Sequence, residues 1–190
     1  MGDIGDQLPA VFLCVGLMQL SHGPYYTFLS IHLESLGYSR GLIGMLWALG
    51  VVAEILLFML VPRLLARFSL RRVLLASFAL ASLRWLVLGY LADSLLLLLL
   101  AQLMHAAPFG SFHVAAVHFV QRNFGPRQQG QGQALYATLA GVGGALGALY
   151  AGYSWTGLGA GATFAIASLA ALAAAVIIGV RLQEDRHDQP

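Results

Sequence analysis

The sequence predicts an all-α integral membrane protein, a single domain over 1–190 built as a bundle of six transmembrane helices. Three observations carry this. Hydrophobic residues make up 59% of the chain and charged residues 9%, with a mean hydropathy of +0.78; soluble domains are about 25% charged and cannot build a wettable surface from so little. Six windows, 9–33, 41–60, 73–92, 95–120, 134–155 and 157–180, each reach the length of about 20 apolar residues that crosses some 30 Å of hydrocarbon. Finally, the windows do not alternate: six leucines in a row at 95–100 exclude lipid-facing β-strands, which change face at every second residue. A net charge of +2 with scattered arginines also excludes nucleic-acid binding and disorder. The lipid bilayer is the first partner.

The first window carries Gln19, His22 and Tyr26 at i, i+3 and i+7, one stripe at about 100° per residue. Pro24 lacks an N–H and follows Gly23, so a kink at mid-depth is expected beside His22, Tyr25 and Tyr26. Cys14, the single cysteine, has no intrachain partner for a disulfide. The stretch ahead of this window has two aspartates and no cation, unlike a signal peptide.

The second window places Trp47, Gly50 and Glu54 on one stripe, and the third places Ser77 and Arg84 on another. A charge at mid-membrane costs about 2.5–3.5 kcal/mol on insertion scales and therefore faces a cavity or a partner. Glu54 and Arg84 are expected to pair across such a cavity. The fourth window adds Gln102, His105, Phe109 and Phe112 on one side, and His113. A lone histidine on an apolar helix is most simply a hydrogen-bonded packing residue, but four helices bringing polar groups to depth call for a wet cavity.

The fifth window contains Gly143 and Gly147 in G-x-x-x-G spacing and a second small-residue row through Ala140, Gly144 and Ala148; Gly143, Gly144 and Gly147 are expected to let another helix approach closely. The sixth window is almost wholly Ala, Leu, Ile and Val after Thr163 and reads as a lipid-facing support. Eight arginines, among them Arg63, Arg67, Arg71 and Arg72 in the second connection, lie on the side shared with both termini; Arg40 lies on the other and Arg84 within a span. Cytoplasmic loops collect the cations, which puts both termini in the cytoplasm of a plasma membrane, the inner membrane of a bacterium.

No phosphate-binding loop and no metal-ligand spacing occurs in the sequence, so neither ATP, another cofactor nor a metal is expected. A six-helix membrane protease is a weak alternative, because FGSFH at 109–113 places Phe112 after Ser111 where that nucleophile motif needs glycine, and no later window has a histidine base. A non-transporting or truncated scaffold is the other alternative.

Four stretches, SHGPYYTF (21–28), GMLWALGVVAE (44–54), LRW (83–85) and QGQGQALY (129–136), occur in the order in which the chain resembles the C-terminal half of phenylpropionate-type transporters, in the lactose-permease-like branch of the major facilitator superfamily. The resemblance covers essentially the whole chain. It implies helices seven to twelve of a twelve-helix transporter, proton-coupled uptake of a small, aromatic organic acid, and a second six-helix half as partner, either another chain or a second copy. It also implies roles for residues. The lactose-permease relatives place a carboxylate, an arginine and a histidine on successive helices of this half, which Glu54, Arg84 and His105 match. Their further carboxylate one turn later is Pro108 here, so the proton falls to Glu54 or a histidine. Substrate and proton are then expected among Glu54, Arg84, His105, His22, Tyr25, Tyr26, Trp47, Gln102, Phe109 and His113, with Arg84 exchanging Glu54 for a substrate carboxylate.

Overall fold

The computed structural model describes residues 4–182, so Arg186, counted above for orientation, lies outside the described residues. Seven helical segments account for them, and no strand occurs among them. They are α1 (Ile4–Ser35), α2 (Arg40–Arg67), α3 (Leu70–Tyr90), α4 (Leu95–Leu103), a π-turn (Ala107–Ser111), α5 (Phe112–Asn123) and α6 (Gln129–Arg181). Four stretches are long and apolar enough to cross a membrane: Arg40–Val61, Leu70–Tyr90, Leu95–Asn123 and Gln129–Arg181. The polar run around His22 makes α1, equally long, less apolar than these.

Serines start the second and third helices. Ser39 accepts the Leu42 N–H at 3.3 Å and Ser69 the Arg72 N–H at 3.4 Å, satisfying donors that a helix start leaves open. α1 is one continuous helix through Pro24, whereas the fourth span is interrupted around Pro108.

The windows 134–155 and 157–180 both fall in α6, whose break is Gly159 (φ 83°, ψ 176°). Positive φ of this kind is open to glycine and strained for other residues. The chain reverses here: Gly143 before the break meets Gly16, Ala174 after it accepts from the Cys14 thiol, and these two α1 residues are two apart in sequence.

Contact between α1 and the first arm of α6 is backbone on backbone. A Cβ on Gly147 would lie 2.6 Å from the Leu20 carbonyl oxygen, and one on Gly143 would collide with the Gly16 carbonyl. In lipid, where no hydrophobic effect drives helices together, such close approach supplies the packing energy. Gly144 does not take part. Its Cβ position faces open space, because one turn of spacing makes two small-residue rows and only the 143/147 row faces α1.

The second arm of α6 is not simply lipid-facing. Phe164, Ala167, Ser168, Ala171, Ala174 and Ile178 are buried, while Leu169, Leu172, Val176 and Val180 are exposed. Its buried face packs on α3, where the Ser82 and Ser168 hydroxyls share a 2.7 Å hydrogen bond and the Arg71 Nη2 donates to the Gly179 carbonyl at 2.7 Å. α2 is the outlying helix: 17% of its apolar window is buried against 50% for α3, so most of its side chains must meet lipid or another protein.

Candidate functional site

Arg84 sits on the buried face of α3 with no solvent exposure. A guanidinium in that position needs acceptors, and the fourth span supplies them through a local defect. In a regular helix the Ala101 carbonyl would accept the N–H of His105. Here the His105 N–H bonds the Gln102 carbonyl at 3.1 Å instead, and Arg84 Nε donates to the Ala101 carbonyl at 2.7 Å. Pro108, without an N–H, prevents the regular pattern from resuming, and the chain passes through the π-turn before α5 begins. Arg84 Nη2 donates to Gln102 Oε1 at 3.2 Å.

Gln102 is fixed in turn. Its amide donates to the Leu46 carbonyl at 2.9 Å and to the Tyr25 hydroxyl at 3.4 Å. The Arg84 Cζ lies 4.1 Å from the Tyr25 ring centroid and 4.6 Å from that of Trp85, a cation against two aromatic rings. Gly50 closes this layer from α2: a Cβ there would lie 3.6 Å from both the Tyr25 hydroxyl and His105 Cδ2, in ordinary van der Waals contact with the site.

The aromatic residues form one connected wall. The His22 ring lies edge-on to Trp85 at 4.8 Å, with Phe109 at 5.6 Å and His105 at 6.0 Å. His105 stacks on Phe109 at 5.4 Å, and Tyr25 lies 5.0 Å from His105 and 4.6 Å from Trp47. Tyr26, half exposed, stacks on both His22 and Trp47. The His22 Nδ1 is 2.8 Å from the Met18 carbonyl. A carbonyl only accepts, so Nδ1 carries the hydrogen and Nε2 of the neutral ring offers its lone pair.

Among the described residues, Arg84 Nη1, His22 Nε2, His105 Nδ1 and Trp85 Nε1 are buried without a hydrogen-bond partner. Unpaired buried groups are individually costly, about 1–3 kcal/mol each and more for a charge. Four on touching side chains constitute a polar cluster enclosed in aromatic surface.

Two expected members stand elsewhere. Arg84 and Glu54 form no ion pair; among the described residues the pair within reach is Arg40–Glu34, at 2.9 Å and exposed. Tyr25, Gln102 and His105 fill the layer between α2 and the guanidinium, while half-buried Glu54 lies one turn beyond Gly50, its Cγ beside Gly110 of the π-turn. His113 faces away from the cluster and shares a 2.7 Å hydrogen bond with the Tyr136 hydroxyl of α6. Phe112, placed with Phe109 by helical spacing, packs instead on Phe78 at 5.3 Å, since the π-turn between them shifts the register.

Conversely, Trp85, Gly50 and the Ala101 carbonyl belong to the site and had not been singled out for it. Trp85 adjoins Arg84 in sequence, and an aromatic residue next to a buried cation is a usable signal. The Ala101 carbonyl has none in side-chain pattern.

A family model described as the MFS_1 like family matches residues 6–166. The chain belongs to this family. Membership in the MFS_1 like family removes the membrane-protease reading. Among curated relatives, the chain is 36% identical over 159 residues to the probable 3-phenylpropionic acid transporter of Escherichia coli (strain K12), an alignment covering 83% of this chain and 41% of that protein. The chain therefore spans about two fifths of the length of the relative it matches.

Proposed function

We propose that the chain is one half of a major facilitator transporter that carries a small aromatic carboxylate together with a proton across a bacterial inner membrane, with both termini cytoplasmic and six spans in a single domain. The observation that carries this reading is the unpartnered Arg84 Nη1 inside the aromatic wall. A carboxylate oxygen would satisfy it by a charge-assisted hydrogen bond, and a phenyl ring would lie against Tyr25, Trp47 and Phe109. The printed name of the relative, a 3-phenylpropionic acid transporter, has both chemical parts. Arg84 is held by Ala101 and Gln102 rather than by Glu54, so proton and substrate do not compete for the guanidinium. Glu54 takes the proton from beside the site, and His22 Nε2 is a second acceptor.

Tyr26 is half exposed and Glu54 partly so, and on this reading a second half would cover that side. The halves of these transporters are parallel repeats related by an axis along the membrane normal, so either another chain or a second copy could close it in the same orientation. The test is binding to the purified chain, read by quenching of tryptophan fluorescence, since Trp47 and Trp85 border the site. 3-Phenylpropionate is expected to quench and uncharged 3-phenylpropanamide to quench at least tenfold more weakly. Equal quenching by acid and amide would reject the carboxylate site. Accumulation in energised vesicles, lost on collapse of the pH gradient, tests the coupling.

A further inference from the structure

A cavity lies between α2 and α3. It measures about 490 Å³ and is lined by Leu57 and Leu64 of α2 and Phe68 just after it, by Val73, Ala76 and Leu80 of α3, and by Ala107 and Ser111 of the π-turn, with Arg72 and Ser77 completing the α3 side. Its polarity is one-ended. Inside, Ser77 spends its hydroxyl on the Val73 carbonyl at 2.8 Å, and the charged residue of the lining is Arg72. Arg72 is exposed, and Arg67, also exposed, follows the lining residue Leu64 by about one turn of α2. The same connection carries Arg63 and Arg71 and no acid from 62 to 72. The first turn of α3 also lacks an acidic residue, so the positive end of its helix dipole adds to the arginines instead of being offset.

From Arg72 to Leu80 the α3 wall is about 12 Å long at 1.5 Å per residue, which is within the roughly 15 Å that one leaflet contributes to a 30 Å hydrocarbon core. Ala76, midway along, is exposed, so the groove opens sideways. An anionic end, an apolar body of one leaflet's depth and lateral entry describe a lipid rather than a soluble solute. We propose that this groove holds one acyl chain of an anionic phospholipid, with its phosphate at Arg67 and Arg72, from the leaflet on the arginine side. Charge complementarity selects the headgroup; basic recesses between membrane helices are sites of this kind. The proposal rests on the chain spanning a bilayer and is independent of the transport reading.

Spin-labelled phosphatidylglycerol and spin-labelled phosphatidylcholine, each in bilayers of unlabelled phosphatidylcholine containing the reconstituted chain, test it by the motionally restricted fraction. The expected result is preferential retention of phosphatidylglycerol, weakened about fivefold by Arg67→Gln or by Arg72→Gln, as befits one arginine near a membrane surface. Ala76→Trp, which fills the groove and leaves every arginine in place, is expected to abolish the preference. Equal retention of the two lipids overturns the proposal, and so does undiminished preference in a folded Ala76→Trp variant, which would mark surface charge alone. Dihexanoyl-phosphatidylglycerol on the unaltered chain provides a check that does not depend on that variant folding: it carries the headgroup on short tails and should displace the labelled lipid poorly. Displacement by dihexanoyl-phosphatidylglycerol as effective as by the long-chain lipid overturns the acyl-chain site, and displacement by palmitate but not by long-chain phosphatidylglycerol assigns the groove to a free acid instead. No uptake is measured, so failure of the transport reading would leave these outcomes unchanged.

Discussion

The guanidinium of Arg84 lies 4.1 Å from the centre of the Tyr25 ring while its Nε is tied to the Ala101 carbonyl at 2.7 Å. Three helices thus fix one cation: α3 carries it, α1 covers it and α4 anchors it. Tyr25→Leu removes the covering ring and the Gln102 link together. A desolvated cation–π contact is worth up to about 2 kcal/mol, so ligand affinity should fall by roughly tenfold or more, read by tryptophan quenching, whereas Tyr25→Phe, which keeps the ring, should lose less.

Arg84→Lys tests the fork rather than the charge. An ammonium cannot serve Ala101, Gln102 and a carboxylate with the same planar geometry. Hydrogen bonds to charged groups contribute about 1.5–3 kcal/mol, so the dissociation constant for 3-phenylpropionate should rise by about tenfold to a hundredfold with the charge unchanged. Calorimetric titration would measure it, and an unaltered constant would remove Arg84 from the site.

Because Glu54 is not paired with Arg84, Glu54→Gln should leave substrate binding within about twofold, in line with the small cost of changing a group outside the contact, while pH-gradient-driven accumulation is lost. Exchanging the charges, Glu54→Arg with Arg84→Glu, should not restore function as it would for a simple ion pair. Binding and counterflow assays on the same preparations separate the two effects.

Pro108→Ala returns an N–H to the fourth span. The regular ladder can then extend through 104–111, with a gain of up to about 3 kcal/mol in helix energy, and the His105 N–H can reclaim the Ala101 carbonyl. Thermal unfolding in detergent should shift upward while ligand affinity falls. A variant that is more stable and binds equally well would show that the defect does not serve Arg84.

At the α1–α6 contact, Gly147→Val should destabilise strongly, since its Cβ would fall 2.6 Å from the Leu20 carbonyl oxygen and backbone cannot yield as a side chain can; overpacking costs about 1–3 kcal/mol or more. Gly144→Ala, one turn of spacing away from the other row and facing open space, should unfold within a degree or two of the parent. Melting curves of the two variants in one detergent make the comparison.

Much of this was legible in the sequence, for physical reasons that differ residue by residue. Apolar length marked long helices, and about 100° per residue placed His22 with Tyr26 and Gln102 with His105. The position of the α6 reversal was less determinate, because glycines at 157, 159 and 161 can each adopt positive φ, and Gly159 does so. Opposite charges at similar depth suggested that Glu54 and Arg84 pair. What satisfies Arg84 instead is a main-chain oxygen released by a ladder defect, and no residue type records a carbonyl. The π-turn likewise separated Phe112 and His113 from Phe109, a shift that constant helical spacing does not anticipate.

The Ala101 anchor has a consequence for how this protein tolerates change. An oxygen of the main chain is present whatever residue stands at 101, so substitutions small enough to fit there leave the tether intact, and its sequence can drift. A one-residue insertion or deletion between 95 and 108 is different: it would turn the carbonyl away from α3 and strand a permanent cation in oil. The site is therefore robust to spelling and fragile to length.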